Sequence, residues 1–412
     1  MTTTTAAPPK ASRPTKAGKA VTPVKGQTMA QAYGLSEAQL EELGQSFDAI
    51  RARITAELGE EDVEYIRRVI RWQRGCEVAG RASLFLGWLP PFWLLGATAL
   101  SVSKILDNME IGHNIMHGQY DWTRDPTLSA HGFEWDTACP GDQWRHSHNY
   151  LHHTFTNIVG KDRDLGYGIL RMTEQEPWTP KALINPVAAA ILAAIFQYGV
   201  MLHDVEFEKV LSGEKSREDA RATLRAGLKK SGKQGLKDYV LWPALTGPSF
   251  LPAVAAGATA NLVRNLWAFM IIFCGHFPAG VHDFTVEESE GESKGHWYFR
   301  QILGSANIDG GKLFHIMSGN LSFQIEHHAF PDIPARRYQQ VAGEVKALCE
   351  RFGLPYNSRG LTRQFGSVIG KITRLALPSK PASVTAEPTG DPTPTTKTTK
   401  TTKTDRSTKV AA

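Results

Sequence analysis

Three stretches without a charged side chain set the first limit on how this chain can fold. They are ASLFLGWLPPFWLLGATALSVS at 82–103, ALINPVAAAILAAIFQYGVML at 182–202 and YVLWPALTGPSFLPAVAAGATANLV at 239–263. Beyond Arg264 a further apolar run, NLWAFMIIFCG, leads to His276. A helix needs about 20 apolar residues to cross the hydrocarbon core of a bilayer, and all three stretches reach that length. They predict an all-α, integral membrane helical bundle; buried helices of a large soluble protein are the competing reading. Pro90-Pro91 marks either the turn of a hairpin or a kink in one span.

Composition narrows the partners. The net charge of +5 over 412 residues is modest, and the bases are interspersed with acids. That argues against nucleic acid and suits an anionic membrane surface. Cys76, Cys139, Cys274 and Cys349 are far apart and form no CxxC pair, so neither a disulfide framework nor a cysteine zinc site is expected. The first thirty residues lack the apolar core of a secretory signal. Residues 1–28 and the Thr/Lys/Pro-rich 380–412 have too little to bury to offset the entropy of ordering. They are expected to be solvated tails around one membrane domain at 29–379.

The fourteen histidines are not scattered evenly. HNIMH sets His113 and His117 four apart, one above the other on a helix face. HNYLHH repeats that spacing with His148 and His152 and adds His153, and FQIEHHAF carries His327 and His328. His276 ends an apolar run. Neutral imidazole suits iron, zinc, copper or nickel. Eight imidazoles exceed the roughly four to six positions around one ion and suit two. One HxxxH is a weak signal, whereas three clusters bordering apolar runs are a strong one. His131, His203, His282, His296 and His315 lie outside the clusters and read as ordinary core or surface residues; His146 stands between the two groups.

HNIMH, HNYLHH and QIEHH resemble the three histidine boxes of the membrane fatty acid desaturases, and FQIEHHAFPDIP is especially similar to the subgroup whose third box begins with Gln. The likeness runs over roughly residues 75–355 and points toward bacterial desaturases of the actinobacterial acyl-CoA type. It implies a helical membrane domain with a cytoplasmic, histidine-rich di-iron cap, in a bacterial inner membrane. The metal ligands it implies are His113, His117, His148, His152, His153, His327 and His328, with His276 as the extra ligand after the last spans. The substrates it implies are O2 and a long-chain acyl group within membrane lipid surroundings. No HPGG segment appears, so no fused cytochrome b5 domain is expected. Electrons are then expected from a separate ferredoxin or flavin/iron-sulfur reductase.

The chemistry agrees with that ligand set. Desaturation removes two hydrogens from unactivated methylenes, which no side chain can do by acid–base means; metal-activated oxygen can. Asp162 and Asp164 resemble family acids just after the second box and are expected to hold metal-bound imidazoles. Glu326 is expected to be solvated. Gln324 shares a helix face with His327 and His328 and replaces an imidazole, so it is expected to bind weakly or orient a metal-bound water. Lys161, Arg163, Arg336 and Arg337 are candidates for the acyl head group, with interfacial anchoring as the rival role.

Topology is the open point. All boxes must share one face, yet a simple outward span at 182–202 strands 204–238 on the far side, with its nine Lys/Arg against seven Asp/Glu. The alternative makes 182–202 re-entrant or interfacial and 239–275 a hairpin, which positive-inside bias favours. A hydroxylase, ketolase or alkane monooxygenase on the same scaffold is one rival function. A metal-ion carrier is a more distant one, disfavoured because the boxes lie outside the apolar runs.

Overall fold

The computed structural model describes Val21 and residues 27–378. The expected tails lie outside the described residues, save for Val21, Gln27 and Thr28. Nearly all regular structure is helical; among the described residues the strands are β1 (Asn307–Asp309) and β2 (Ser358–Gly360), a short parallel pair.

The longer helices, in chain order, are α1 (Glu37–Ala56), α2 (Glu60–Ser83), α3 (Pro90–Ile105), α4 (Asn185–Ala194), α5 (Phe196–His203) and α6 (Arg217–Leu236). They continue with α7 (Phe250–His276), α8 (Lys294–Leu303), α9 (Gln324–Ala329), α10 (Tyr338–Arg351) and α11 (Leu361–Ala376). Local chemistry sets their starts. Ser36 and Gln39 form a capping box on α1, and Ser216 caps α6 through the Asp219 N–H. Glu60, Glu61 and Asp62 place three acids in the first turn of α2, where the helix dipole favours them.

The apolar stretches do not form three straight spans. Residues 82–103 hold the end of α2, a turn and α3, with Pro90 at the first helical position. Proline there loses no helical hydrogen bond, so Pro90-Pro91 starts the second arm of a hairpin. Close packing joins the arms: a Cβ at Gly96 would stand 2.7 Å from the Leu84 side chain. Residues 239–263 break at Gly247 (φ +56°) and Pro248, between the short helix Trp242–Leu245 and α7. The long apolar helix is Gly247–His276, so residues 247–263 of the third stretch and the run ending at His276 are one rod. Residues 182–202 bend by 102° between Pro180–Ala194 and Phe196–Ser212. The two hairpin tips meet, with Ser249 Oγ donating to the Phe85 carbonyl at 3.0 Å and Trp93 Nε1 to the Pro252 carbonyl at 3.0 Å. Small residues of α7, Ala253, Ala256 and Ala260, seat Leu84, Ala97 and Leu100. Outside, Phe85, Leu86, Trp88, Leu94, Leu95 and Leu251 are exposed.

At the other end α1, α8, α9 and α10 close around Phe47, Tyr298, Phe330 and Tyr338. Phe47 stacks on Tyr298 at 4.7 Å between ring centroids. The histidines lie between this cap and the base of the hairpins.

Candidate metal centre

Box two sits on a π-helical turn, and box one begins where another π segment ends. α3 runs on without a break into a π segment, Leu106–His113, and the second box occupies another, Arg145–His152. The His117 N–H donates to the His113 carbonyl at 3.1 Å, so box one keeps the expected i, i+4 turn, whereas box two lies on a wider one. With i→i+5 bonding, His148, His152 and His153 stay on one side. Such wide turns recur at functional sites.

All eight expected histidines converge. The ligating nitrogens of His113, His117, His148 and His327 lie within 4.8 Å of one another, as do those of His152, His276 and His328. His153 joins the two groups, with its ring centroid 4.8 Å from that of His327 and 4.4 Å from that of His328. Gln324 Nε2 stands 2.9 Å from His276 Nε2, placing the amide beside the three-histidine group. A half-turn of that amide brings its oxygen, the ligating atom, to the same place. Asn157, with φ +56°, fastens the box-two loop to the segments that follow α7 and α8: its Nδ2 donates to the carbonyls of His282 and Gly304, each at 3.0 Å.

Four of these rings, His148, His152, His276 and His327, are held at one nitrogen and free at the other. Nδ1 of His113 meets Asn114 Oδ1 at 3.1 Å, that of His148 meets Asp164 at 3.3 Å, and that of His152 meets Asp162 at 3.0 Å. His327 Nδ1 lies 3.2 Å from the Tyr338 hydroxyl, and His328 Nδ1 lies 3.1 Å from Gln301 Oε1. By contrast, Nε2 of His117, His148, His152, His153 and His327 has no hydrogen-bond partner among the described residues. Buried polar atoms are rarely left so, and a ring fixed at one nitrogen with the other bare is the arrangement of a metal ligand. Burial holds His117, His153, His327 and His328 well below the usual imidazole pKa. Those four rings are then neutral, as ligation requires. The donor set fits metal binding.

The fatty acid desaturase family model matches residues 86–360. The NADPH-dependent stearoyl-CoA 9-desaturase of Mycobacterium tuberculosis is 43% identical over 350 residues, 84% of this chain and 82% of that protein. The chain belongs to the fatty acid desaturase family. The sn-1 linoleoyl-lipid 6-desaturase of Synechocystis is more distant, 27% identical over 66% of this chain and 77% of its own length. The acyl-lipid (8-3)-desaturase of Mortierella alpina is 21% identical over 74% and 72%. The chain is an oxidoreductase that desaturates acyl chains with O2. The hydroxylase, ketolase and ion-carrier readings give way to this one.

In this desaturase the two acids after box two do more than touch a ring each. Asp162 also accepts the Asn157 N–H at 2.7 Å and the Asp164 N–H at 3.0 Å, so it folds the loop that places the second box. Asp164 lies between His148 and His203, whose Nε2 is 3.2 Å from Asp164 Oδ1. His203 was expected to be an ordinary residue; it is buried and lines the histidine cavity. No spacing rule ties it to the boxes, since it arrives on α5 after the 102° bend. His131 and His146 are exposed and join no metal-binding group among the described residues, nor does the half-buried His296. His282 and His315 are buried against Tyr33 and Ser322.

Three further expectations need correction or refinement. Glu326 is buried rather than solvated: it accepts from Tyr356 and Asn307, each at 2.8 Å, and burial pushes its pKa up to about 7. Arg336 and Arg337 both meet the buried Asp62, at 3.3 and 2.7 Å, and tie the segment after box three to the start of α2. Arg163 pairs with Glu206 and Glu208. These guanidiniums already have carboxylates, which leaves little charge for a substrate. Lys161 lies 5.3 Å over the Phe155 ring.

The sequence reading passed over Glu110 altogether. It is fully buried three residues before His113, accepting from Tyr65 at 2.6 Å and Asn320 at 3.0 Å. Burial pushes its pKa up to about 8 from 4.5. A carboxyl raised on folding stabilises most while both states are protonated, below 4.5, and that contribution is lost as pH rises through about 8. Thermal unfolding in detergent should therefore show wild type losing stability with rising pH across that window, and Glu110→Gln giving a flatter profile. Parallel profiles would contradict the assignment.

Proposed function

We propose that the two histidine groups hold two non-haem irons and that the substrate is a long-chain acyl-CoA, desaturated at carbon 9 as the name of the Mycobacterium tuberculosis relative states. One observation carries the reading: eight histidines, most with a bare nitrogen, converge beside an apolar cavity. His113, His117, His148 and His327 would hold one ion and His152, His276 and His328 the other, with His153 shared or assigned to either. Gln324 would complete the second set weakly, because a neutral amide is a poorer ligand than imidazole. When bound, the iron pair supplies the oxidising power that takes two hydrogens from unactivated methylenes, with two outside electrons and two protons completing the reduction of O2 to water.

The chain's own residues do the rest. Met109, Phe196, Val200, Ala268, Ile272 and Phe277 line the cavity that His113, His148, His152 and His276 face, a surface that accepts an acyl chain and excludes water. Asp162 and Asp164 keep the imidazoles in the tautomer that offers a free nitrogen. The exposed apolar collar at the hairpin tips suits lipid rather than water, so the hairpins would enter the membrane tip first. The basic α6 reaches the histidine end through Lys230 and Glu134, which favours a cytoplasmic site and a re-entrant 182–202. The desaturase domain would extend over 29–379, and a separate NADPH-linked reductase would deliver the electrons.

Purified protein given stearoyl-CoA, NADPH and a reductase should yield the carbon-9 monoene, located by gas chromatography and mass spectrometry. Desaturation of glycerolipids with stearoyl-CoA left untouched would refute the acyl-CoA assignment.

A further inference from the structure

A second cleft lies between α2 and α6, outside the histidine cavity. Its cations are Arg74, Arg81, Lys104, Lys230, Lys233 and Lys237. Four are matched: Arg81 by Glu77, Lys104 and Lys237 by Asp136, and Lys230 by Glu134. Arg74 on α2 and Lys233 on α6 are exposed and make no ion pair among the described residues, so opposite walls carry one free cation each. Such a pair suits phosphate.

Trp135 and Thr137 line both this cleft and the histidine cavity, and so form the neck between them. Thr137 is 4% exposed, and its Oγ1 has no hydrogen-bond partner among the described residues. The neck is held fast on every side. Trp135 Nε1 donates to the Cys139 carbonyl at 2.7 Å, and the Asp136 N–H to Asp107 at 2.8 Å. The Asp136 carbonyl accepts from Gln234 at 2.8 Å and Arg264 at 3.2 Å. A buried hydroxyl without a partner among the described residues, on a hydrogen-bonded strap between a cation-lined cleft and an apolar reaction cavity, asks for an acceptor on whatever passes through.

We propose that the phosphates of the acyl carrier lie between Arg74 and Lys233 while the Thr137 hydroxyl donates to the acyl carbonyl at the neck. Thr137 thereby fixes which methylene reaches the histidines. This rests on the acyl-CoA reading above and adds to it the residue that sets the double-bond position. The hydroxyl grips the only polar group of the acyl chain, so the carbons beyond it are counted from a fixed point. Without that grip the chain can slide, because an apolar wall holds no register.

The test compares wild type, Thr137→Val and Thr137→Ser on stearoyl-CoA, with iron content measured in each. Thr137→Val keeps the shape and should keep its metal, while KM rises about 3- to 10-fold and the double bond spreads to neighbouring carbons. Thr137→Ser should restore a single position. In a second arm, Arg74→Glu with Lys233→Glu should raise KM for stearoyl-CoA without moving the bond. The same variant should handle stearoyl-pantetheine, which lacks phosphates, as wild type does. An iron-loaded Thr137→Val with unchanged KM and one product overturns the carbonyl grip, and charge reversal without effect overturns the cleft. Wild type that ignores stearoyl-CoA would instead defeat the underlying substrate reading.

Discussion

Replacing His153 with alanine should abolish desaturation and lower bound iron together, whereas His131→Ala and His296→Ala should keep wild-type turnover. His153 lies against both His327 and His328, the ring that joins one histidine group to the other. Neither of its nitrogens has a hydrogen-bond partner among the described residues, so no structural bond competes with a metal for them. A methyl group in its place leaves a buried gap and removes a ligand from a set without spares. His131 is exposed, and the half-buried His296 meets Ser293 at 2.9 Å and belongs to no metal-binding group. Activity assays alongside iron quantification on the three variants check the partition. Loss of turnover in His131→Ala equal to that in His153→Ala would contradict it.

Asp162→Asn should cost about 10- to 100-fold in iron affinity or activity, the usual loss when the partner of a ligating histidine is removed. The carboxylate faces His152 Nδ1 with both oxygens at 3.0 Å and also accepts two backbone N–H groups. An amide keeps one acceptor and turns a donor toward groups that also donate. His152 then loses the bond that fixes its tautomer, and the loop from Asn157 to Asp164 loses a staple. Iron titration of the apoprotein separates the two effects from general unfolding, which circular dichroism monitors. Wild-type affinity in Asp162→Asn would show that the acid does not orient His152.

The parts legible in the sequence were those written in local spacing. HNIMH, HNYLHH and QIEHH named seven ligand candidates, and the apolar run ending at His276 named the eighth; all eight meet. Asp162 and Asp164 were visible because they follow the second box closely. Spacing did not reveal the π turn under box two or the one that ends at His113, since the same i, i+4 pattern reads equally well on an α-helix. The breaks in the apolar stretches were legible only as alternatives: Pro90-Pro91 read as a hairpin turn or a kink, 182–202 as a span or a re-entrant segment and 239–275 as a span or a hairpin, while the 102° bend has no proline or glycine at Ile195 to fix its place. Glu326 and Arg337 were misjudged for one reason. Charged residues are usually solvated, and only the tertiary fold supplies Tyr356, Asn307 and Asp62 as distant partners. His203 and Glu110 likewise depend on long-range contacts.

As proposed above, the converging histidines hold two irons. Metal analysis of purified protein, with X-ray absorption at the iron edge, tests it most directly. About two irons per chain in a nitrogen-rich shell are expected, with less iron in His153→Ala. One tightly held zinc with no iron would contradict it.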